Sequence, residues 1–150
     1  MPRKIPSELQ QQIRQRAGFL CEYCHISERW QYVPFTIDHL VPVPDGGDEA
    51  IDNLALACFH CNRRKSDKRT APDPQTGQMI PIFNPRLHRW AEHFIWSMDK
   101  LHIIPLTAIG RATAQLLELN RERAVNIRAA DVVISRHPPA DDPVQQANEP

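Results

Sequence analysis

The sequence has no excess of either charge. Its 18 Lys and Arg balance its 18 Asp and Glu, so the field of the whole molecule favours no polyanionic partner and any such argument must come from local distribution. No stretch approaches the ~20 apolar residues of a membrane span. The opening MPRKIPSELQQQIRQR lacks the apolar core of a signal segment. A cytoplasmic address without a membrane partner is therefore expected. No internal repeat is present. Lys and Arg are missing altogether after Arg136, and the stretch to Pro150 holds four prolines, three acids and no Phe, Trp or Tyr. Residues 136–150 are accordingly expected to form a disordered tail. At 150 residues the chain suffices for one compact domain with at most a short appendage, so one core is expected.

What is present is concentrated. The run Arg63-Arg-Lys-Ser-Asp-Lys-Arg69 carries five basic residues and one acid, a local patch of Arg63, Arg64, Lys68 and Arg69 suited either to phosphate or to solvent. The four cysteines fall into two C-x-x-C pairs, Cys21/Cys24 and Cys58/Cys61. A C-x-x-C turn presents two thiolates to one ion, and two such turns complete the tetrahedral set of a structural Zn²⁺. In a reducing compartment that assignment is favoured over disulfides. Four sulfurs satisfy the ion, leaving the neighbouring His25 and His60 outside the set. The pairs are separated by 33 residues, longer than in a simple zinc ribbon, so a hairpin must be inserted between them.

Ser7 and Gln10 suggest a capping box opening a helix over about 7–17, stopped by Gly18. Phe35–Val41 is β-prone and flanked by prolines. Asp45-Gly-Gly-Asp48 is loop chemistry, and Asn53–Ala57 reads as a return strand. A short charged helix over Asn62–Lys68 completes a strand, strand, helix unit. Beyond Arg69, TAPDPQTGQMIPIFNP reads as an extended connection whose Met79, Ile80, Ile82 and Phe83 dock on a core. A hairpin pairing 93–96 with 101–106 should turn near Asp99-Lys100. Thr107 should cap a helix to about Leu119, and Asn120 should end it and cap another to about Ser135.

Between and after the knuckles stand Asp38-His39, Asn53-Leu54 and Asn62-Arg-Arg-Lys65. The joint pattern C-x-x-C, D-H, N-L, C-x-x-C-N-x-x-K over residues 21–65 resembles the HNH endonuclease family, in a zinc-knuckle variant with Asn as the last motif residue. The resemblance implies an α+β protein built on a small ββα-metal (His-Me finger) unit over residues 1–70. An N-terminal helix precedes it, and a C-terminal hairpin and helices follow over 71–135, packed on it. It further implies hydrolysis of DNA, double-stranded by expectation; with a single active centre a monomer should nick, and cutting both strands requires a homodimer or two events. His39 becomes the general base, since imidazole, with an ordinary pKa near ~6.5, takes a proton at neutral pH. Asp38 and Asn62 become ligands of a catalytic divalent ion, Mg²⁺ or Mn²⁺ with Ni²⁺ as a further candidate, because hard cations take oxygen donors. Asn53 becomes the brace of the hairpin loop that orients the base. Lys65, three residues beyond Asn62, shares its helical face and can reach phosphate. Adjacent strand residues point to opposite faces, so convergence of Asp38 and His39 requires a local bend. The rival expectation is a non-catalytic zinc module that binds nucleic acid or protein.

The later F-N-P-R…R-W…H-F…L-T-x-x-G-R-A-T…L-N-R pattern resembles an extension found in bacterial HNH proteins. Trp90, Phe94 and Trp96 interleave with Arg86, Arg89 and His93, a stacking surface for nucleic acid on one reading and core on the favoured one. Arg111, Arg121 and Arg128 suit that surface and solvated helix positions equally.

Overall fold

The computed structural model describes residues 5–139. They belong to two compact units, one ending at Arg69 and the other beginning at Thr70. A unit of about 70 residues buries too little apolar surface to be secure alone, and a cross-linking metal site compensates. The architecture is α+β, with three separate two-stranded antiparallel sheets among the described residues. No helix among them is long and apolar enough to cross a membrane.

In the first unit, α1 spans Ser7–Arg16. Its start differs from expectation: Pro6 occupies the N-cap position, no side chain caps the helix, and Gln10 Nε2 donates instead to the Ile5 carbonyl at 2.8 Å. Gly18 and Phe19, at φ 63° and 61°, turn the chain back. Ile13 is fully buried, and Arg14 ties the helix to Glu28 (Nε–Oε1 2.9 Å) and to the Phe35 carbonyl (3.2 Å). Arg16 donates to the carbonyls of Ile51 and Leu54. Strands β1 (Thr36–His39) and β2 (Leu54–Ala57) pair antiparallel in the register Thr36↔Ala57 through His39↔Leu54. All four residues of β2 are buried, as a strand covered on both faces requires. Helix α2 runs Phe59–Lys65, beginning three residues before the helix read from sequence. The cause is Cys58: its Sγ accepts from the Cys61 amide at 3.3 Å, so the knuckle itself supplies the N-cap.

In the second unit, the supposed irregular connection contains a hairpin, β3 (Thr70–Pro72) with β4 (Met79–Pro81). Prolines at both strand ends hide it from a β-propensity reading, since they withhold donors only where the ladder stops. Asp73 organises its turn. The side chain accepts from the Gln75 amide and the Thr76 hydroxyl, Gly77 closes the turn at φ 76°, and Arg111 grips both carboxylate oxygens at 2.9 Å. Ile82 and Phe83 are buried as expected, while Met79 is exposed. Helix α3 (Trp90–His93) leads into β5 (Phe94–Trp96), which pairs with β6 (Ile103–Pro105) about Ile95↔Ile104. Trp90, Phe94 and Trp96 are buried and stack with centroid separations of 5.0 and 5.6 Å, so they are core. Thr107 caps α4 (Ala108–Leu116) through the Gly110 amide at 3.0 Å. A Cβ at Gly110 would stand 2.3 Å from the His93 carbonyl oxygen, which explains a glycine there.

Two helix expectations are corrected. Asn120 does not cap α5 (Glu122–Val133), whose N-cap is Arg121; its amide is spent on both backbone groups of Ile103. Arg128 is buried rather than solvated. It donates to the Leu101 and Leu119 carbonyls at 2.9 and 2.7 Å and lies 5.2 Å from the Trp96 ring centroid. The expected tail lies outside the described residues from position 140 onward. Before that, His137 meets the Lys100 carbonyl at 2.7 Å and packs edge-on against Trp96.

The Arg111 pairing holds the Asp73 carboxyl well below the ordinary carboxylate range. The folded state then binds fewer protons than the unfolded chain as pH falls, so this stabilisation is complete above the unfolded value near ~3.9 and is lost as pH drops through the folded one. Hydrogen exchange at the Gln75 and Gly77 amides should accelerate below about pH 4 relative to the rest of the unit. In Asp73→Asn the turn should already be open at neutral pH, with little further change on acidification.

Candidate active site and metal centre

The first knuckle is a tight loop closed by the Leu20↔Ser27 bridge, the Cys21 amide on the Ile26 carbonyl (2.9 Å) and the His25 amide on the Cys21 carbonyl (2.9 Å). It is fastened to β2 from both directions: the Glu22 amide donates to the Leu56 carbonyl and the Leu56 amide to Glu22 Oε2. The second knuckle is the first turn of α2. The sulfurs of Cys21, Cys24, Cys58 and Cys61 are buried and lie within 4.8 Å of one another, and those of Cys24 and Cys58 are 3.7 Å apart. Tetrahedral Zn–S bonds of ~2.3 Å place sulfurs ~3.8 Å apart, so the cluster fits zinc. Mutual hydrogen bonding and burial push Cys61 up and burial pushes Cys21 up, whereas hydrogen bonds from the other sulfurs hold Cys58 far below the ordinary thiol range.

Asp38 lies inside this frame. It is almost wholly buried; the Tyr23 hydroxyl donates to Oδ2 at 2.6 Å and the Lys65 ammonium to Oδ1 at 3.2 Å. Burial raises the Asp38 pKa, against the pull of Lys65 and Tyr23. Burial, followed by the Asp38 charge, pushes the Tyr23 phenol up as well. Both partners are delivered by the metal frame: Tyr23 sits between the cysteines of the first knuckle, and Lys65 ends the helix that grows from the second. Lys65 therefore faces inward, unlike Arg63, Arg64, Lys68 and Arg69, all of which are exposed. It also donates to the His39 carbonyl at 3.2 Å.

His39, the last residue of β1, has a side chain 22% exposed with Nε2 3.3 Å from Glu49 Oε1. The ladder stays in register through His39↔Leu54, and the Leu40 amide continues it to the Asn53 carbonyl. The two side chains consequently keep different partners. Asn53 closes the loop beyond: its Oδ1 accepts from the Val41 amide (2.9 Å), while Nδ2 donates to the carbonyls of Val41 (3.2 Å) and Asp48 (2.9 Å). Gly47 is pressed against the same strand, where a Cβ would fall 1.6 Å from the Val41 carbonyl oxygen. Asn62 is half-buried on α2, three residues before Lys65. Sequence reasoning missed Tyr23 and Glu49. The aromatic residue inside C-E-Y-C was a usable signal; one acid in a Gly- and Asp-rich loop was not.

A hairpin and helix stapled by four cysteines, with a Lys-neutralised carboxylate inside and a histidine at the strand end, define a zinc-knuckle ββα unit. Residues 21–68 match the family model described as HNH endonuclease, and the cysteine cluster fits that family's zinc-knuckle form. No curated protein matches the chain. The family is one of nucleases, and its members typically act on DNA.

Proposed function

We propose that the chain is a metal-dependent endonuclease that hydrolyses phosphodiester bonds of double-stranded DNA in the cytoplasm, acting as a homodimer wherever both strands are cut. The observation that carries this reading is the place of His39 within the family-matched segment, at the end of β1 and partly open to solvent. Glu49 engages Nε2, which leaves Nδ1 to take the proton from an attacking water. The water oxygen bonds to phosphorus, the bond to the 3′ oxygen breaks, and a 5′-phosphate and a 3′-hydroxyl result. Asn53 positions the base by fixing the loop from which Glu49 comes. Asp38 and Asn62 hold the divalent ion, Mg²⁺ or Mn²⁺ with Ni²⁺ as a further candidate. Asp38 offers the oxygen chemistry a hard cation takes, a carboxylate that already faces one positive charge, that of Lys65 at 3.2 Å. When bound, the ion offsets charge developing on the phosphate.

The reading is tested by plasmid cleavage with zinc-loaded protein across Mg²⁺, Mn²⁺, Ni²⁺ and Zn²⁺. Nicking supported by Mg²⁺ or Mn²⁺ is expected. Strongest cleavage with Zn²⁺ would count against an ion held by a carboxylate and an amide, because Asn62 offers oxygen where imidazole would favour softer metals. A second reading, a zinc module that binds nucleic acid or protein without cutting, is favoured by the closed Asp38–Lys65 pair, and absence of cleavage with every ion would select it.

The exposed Arg63, Arg64, Lys68 and Arg69 meet backbone phosphates in this reading. Four such contacts give a slope of log K against log salt of roughly −3.6, an affinity loss of about 10²-fold between 50 and 200 mM salt. Fluorescence anisotropy on a duplex oligonucleotide measures it. The quadruple alanine variant should flatten the slope, and salt-insensitive binding by the parent would remove these residues from the interface.

A further inference from the structure

Resting on the reading of Asp38 as an ion ligand, we propose that Lys65 is a built-in counter-cation, occupying the ion's place at Asp38 until a divalent cation displaces it. Three observations carry this. The Lys65 side chain is 2% exposed, although it belongs to a basic run whose other members face solvent. Its ammonium is held by two hard oxygen acceptors, Asp38 Oδ1 and the His39 carbonyl, both at 3.2 Å. The remaining carboxylate oxygen is taken by Tyr23, whose hydroxyl adds no charge. An uncompensated buried carboxylate would be strongly destabilising, so the pair stays closed in most ion-free molecules. An ammonium on a flexible four-carbon stem at the end of a short helix can supply that charge and leave without unfolding the frame.

The pair then sets the ion affinity. A site competent only when Lys65 has swung out binds with an affinity reduced by the open fraction, so a pair open one part in ten weakens binding about tenfold. The displaced ammonium emerges beside the exposed basic residues of α2, adding a positive charge where phosphate arrives. Ion binding thereby both charges the carboxylate site and completes the basic face.

The test uses the zinc-loaded full chain and Mn²⁺. In the wild type, amine acetylation followed by mass spectrometry should find Lys65 protected without Mn²⁺ and reactive with it, while Lys68 is reactive in both. Free Mn²⁺ measured by electron paramagnetic resonance should show Lys65→Gln and Lys65→Met binding about tenfold more tightly than wild type, and Asp38→Asn losing the site. Lys65 remaining protected at saturating Mn²⁺, or variants that bind no more tightly, would overturn the counter-cation. Plasmid cutting is scored separately. A chain that cuts while Lys65 stays protected loses this inference and keeps the nuclease; one that releases Lys65 on Mn²⁺ and cuts nothing loses the nuclease and keeps the inference.

Discussion

Cys58→Ser is expected to abolish the folding transition of the first unit while leaving the second unit's transition in place. Cys58 has two duties: its sulfur is one corner of the four-sulfur cluster, and it caps α2 through the Cys61 amide. A hydroxyl can still cap a helix but is a poor zinc ligand, so the change strips the metal while sparing the cap. Structural zinc contributes on the order of 10 kcal/mol to such small folds, more than a domain of this size has in reserve. Zinc content by mass spectrometry should fall from one per chain to none, and dispersed amide signals of residues 21–68 should collapse. A folded, zinc-free variant would show that the apolar cluster around Ile13, Leu54 and Leu56 holds the unit unaided. Chelation of the wild type should reproduce the variant.

His39→Ala should behave in the opposite way, keeping zinc and fold while losing cleavage by about 10²- to 10⁴-fold, the usual contribution of a general base. The side chain is partly exposed and its partner is the equally accessible Glu49, so truncation leaves no buried polar group stranded. The Lys65 bond at this position goes to the main-chain carbonyl and survives the change. Plasmid nicking in Mn²⁺ measures the loss, and a variant that cuts as fast as its parent would remove His39 from the chemistry.

These two residues also mark how far the sequence could be read. The cysteine pairs were legible because C-x-x-C spacing is itself a geometric statement, and the hairpin because alternation and Gly-Gly loop chemistry agree. The start of α2 was hidden, since cysteine as a helix cap has no place in ordinary capping preferences. Lys65 was set apart from the basic run by its spacing from Asn62, but only as a phosphate contact; its turn inward to meet Asp38 was hidden, because only three-dimensional packing shows it. The strand periodicity set Asp38 and His39 on opposite faces, and the two side chains keep different partners, Tyr23 and Lys65 for one and Glu49 for the other. In the second unit, the aromatic core followed from composition. The Thr70–Pro81 hairpin and the buried Arg128 did not, because proline and arginine are normally signs of loop and surface. Their exceptions depend on partners distant in sequence, Arg111 for the Asp73 turn and the Leu101 and Leu119 carbonyls for Arg128.

The three hydrogen bonds of Asn53 fasten the hairpin at its base, from Val41 to Asp48, and the tip beyond them is left open: Val43 is exposed, and Gly46 has no atom within 4 Å of where a side chain would begin. The register of β1 and β2 therefore does not depend on what the tip contains. Val43–Gly46 thus stands on a fixed mount, and a change of its length or chemistry should leave the histidine and the thiolate cage behind it undisturbed.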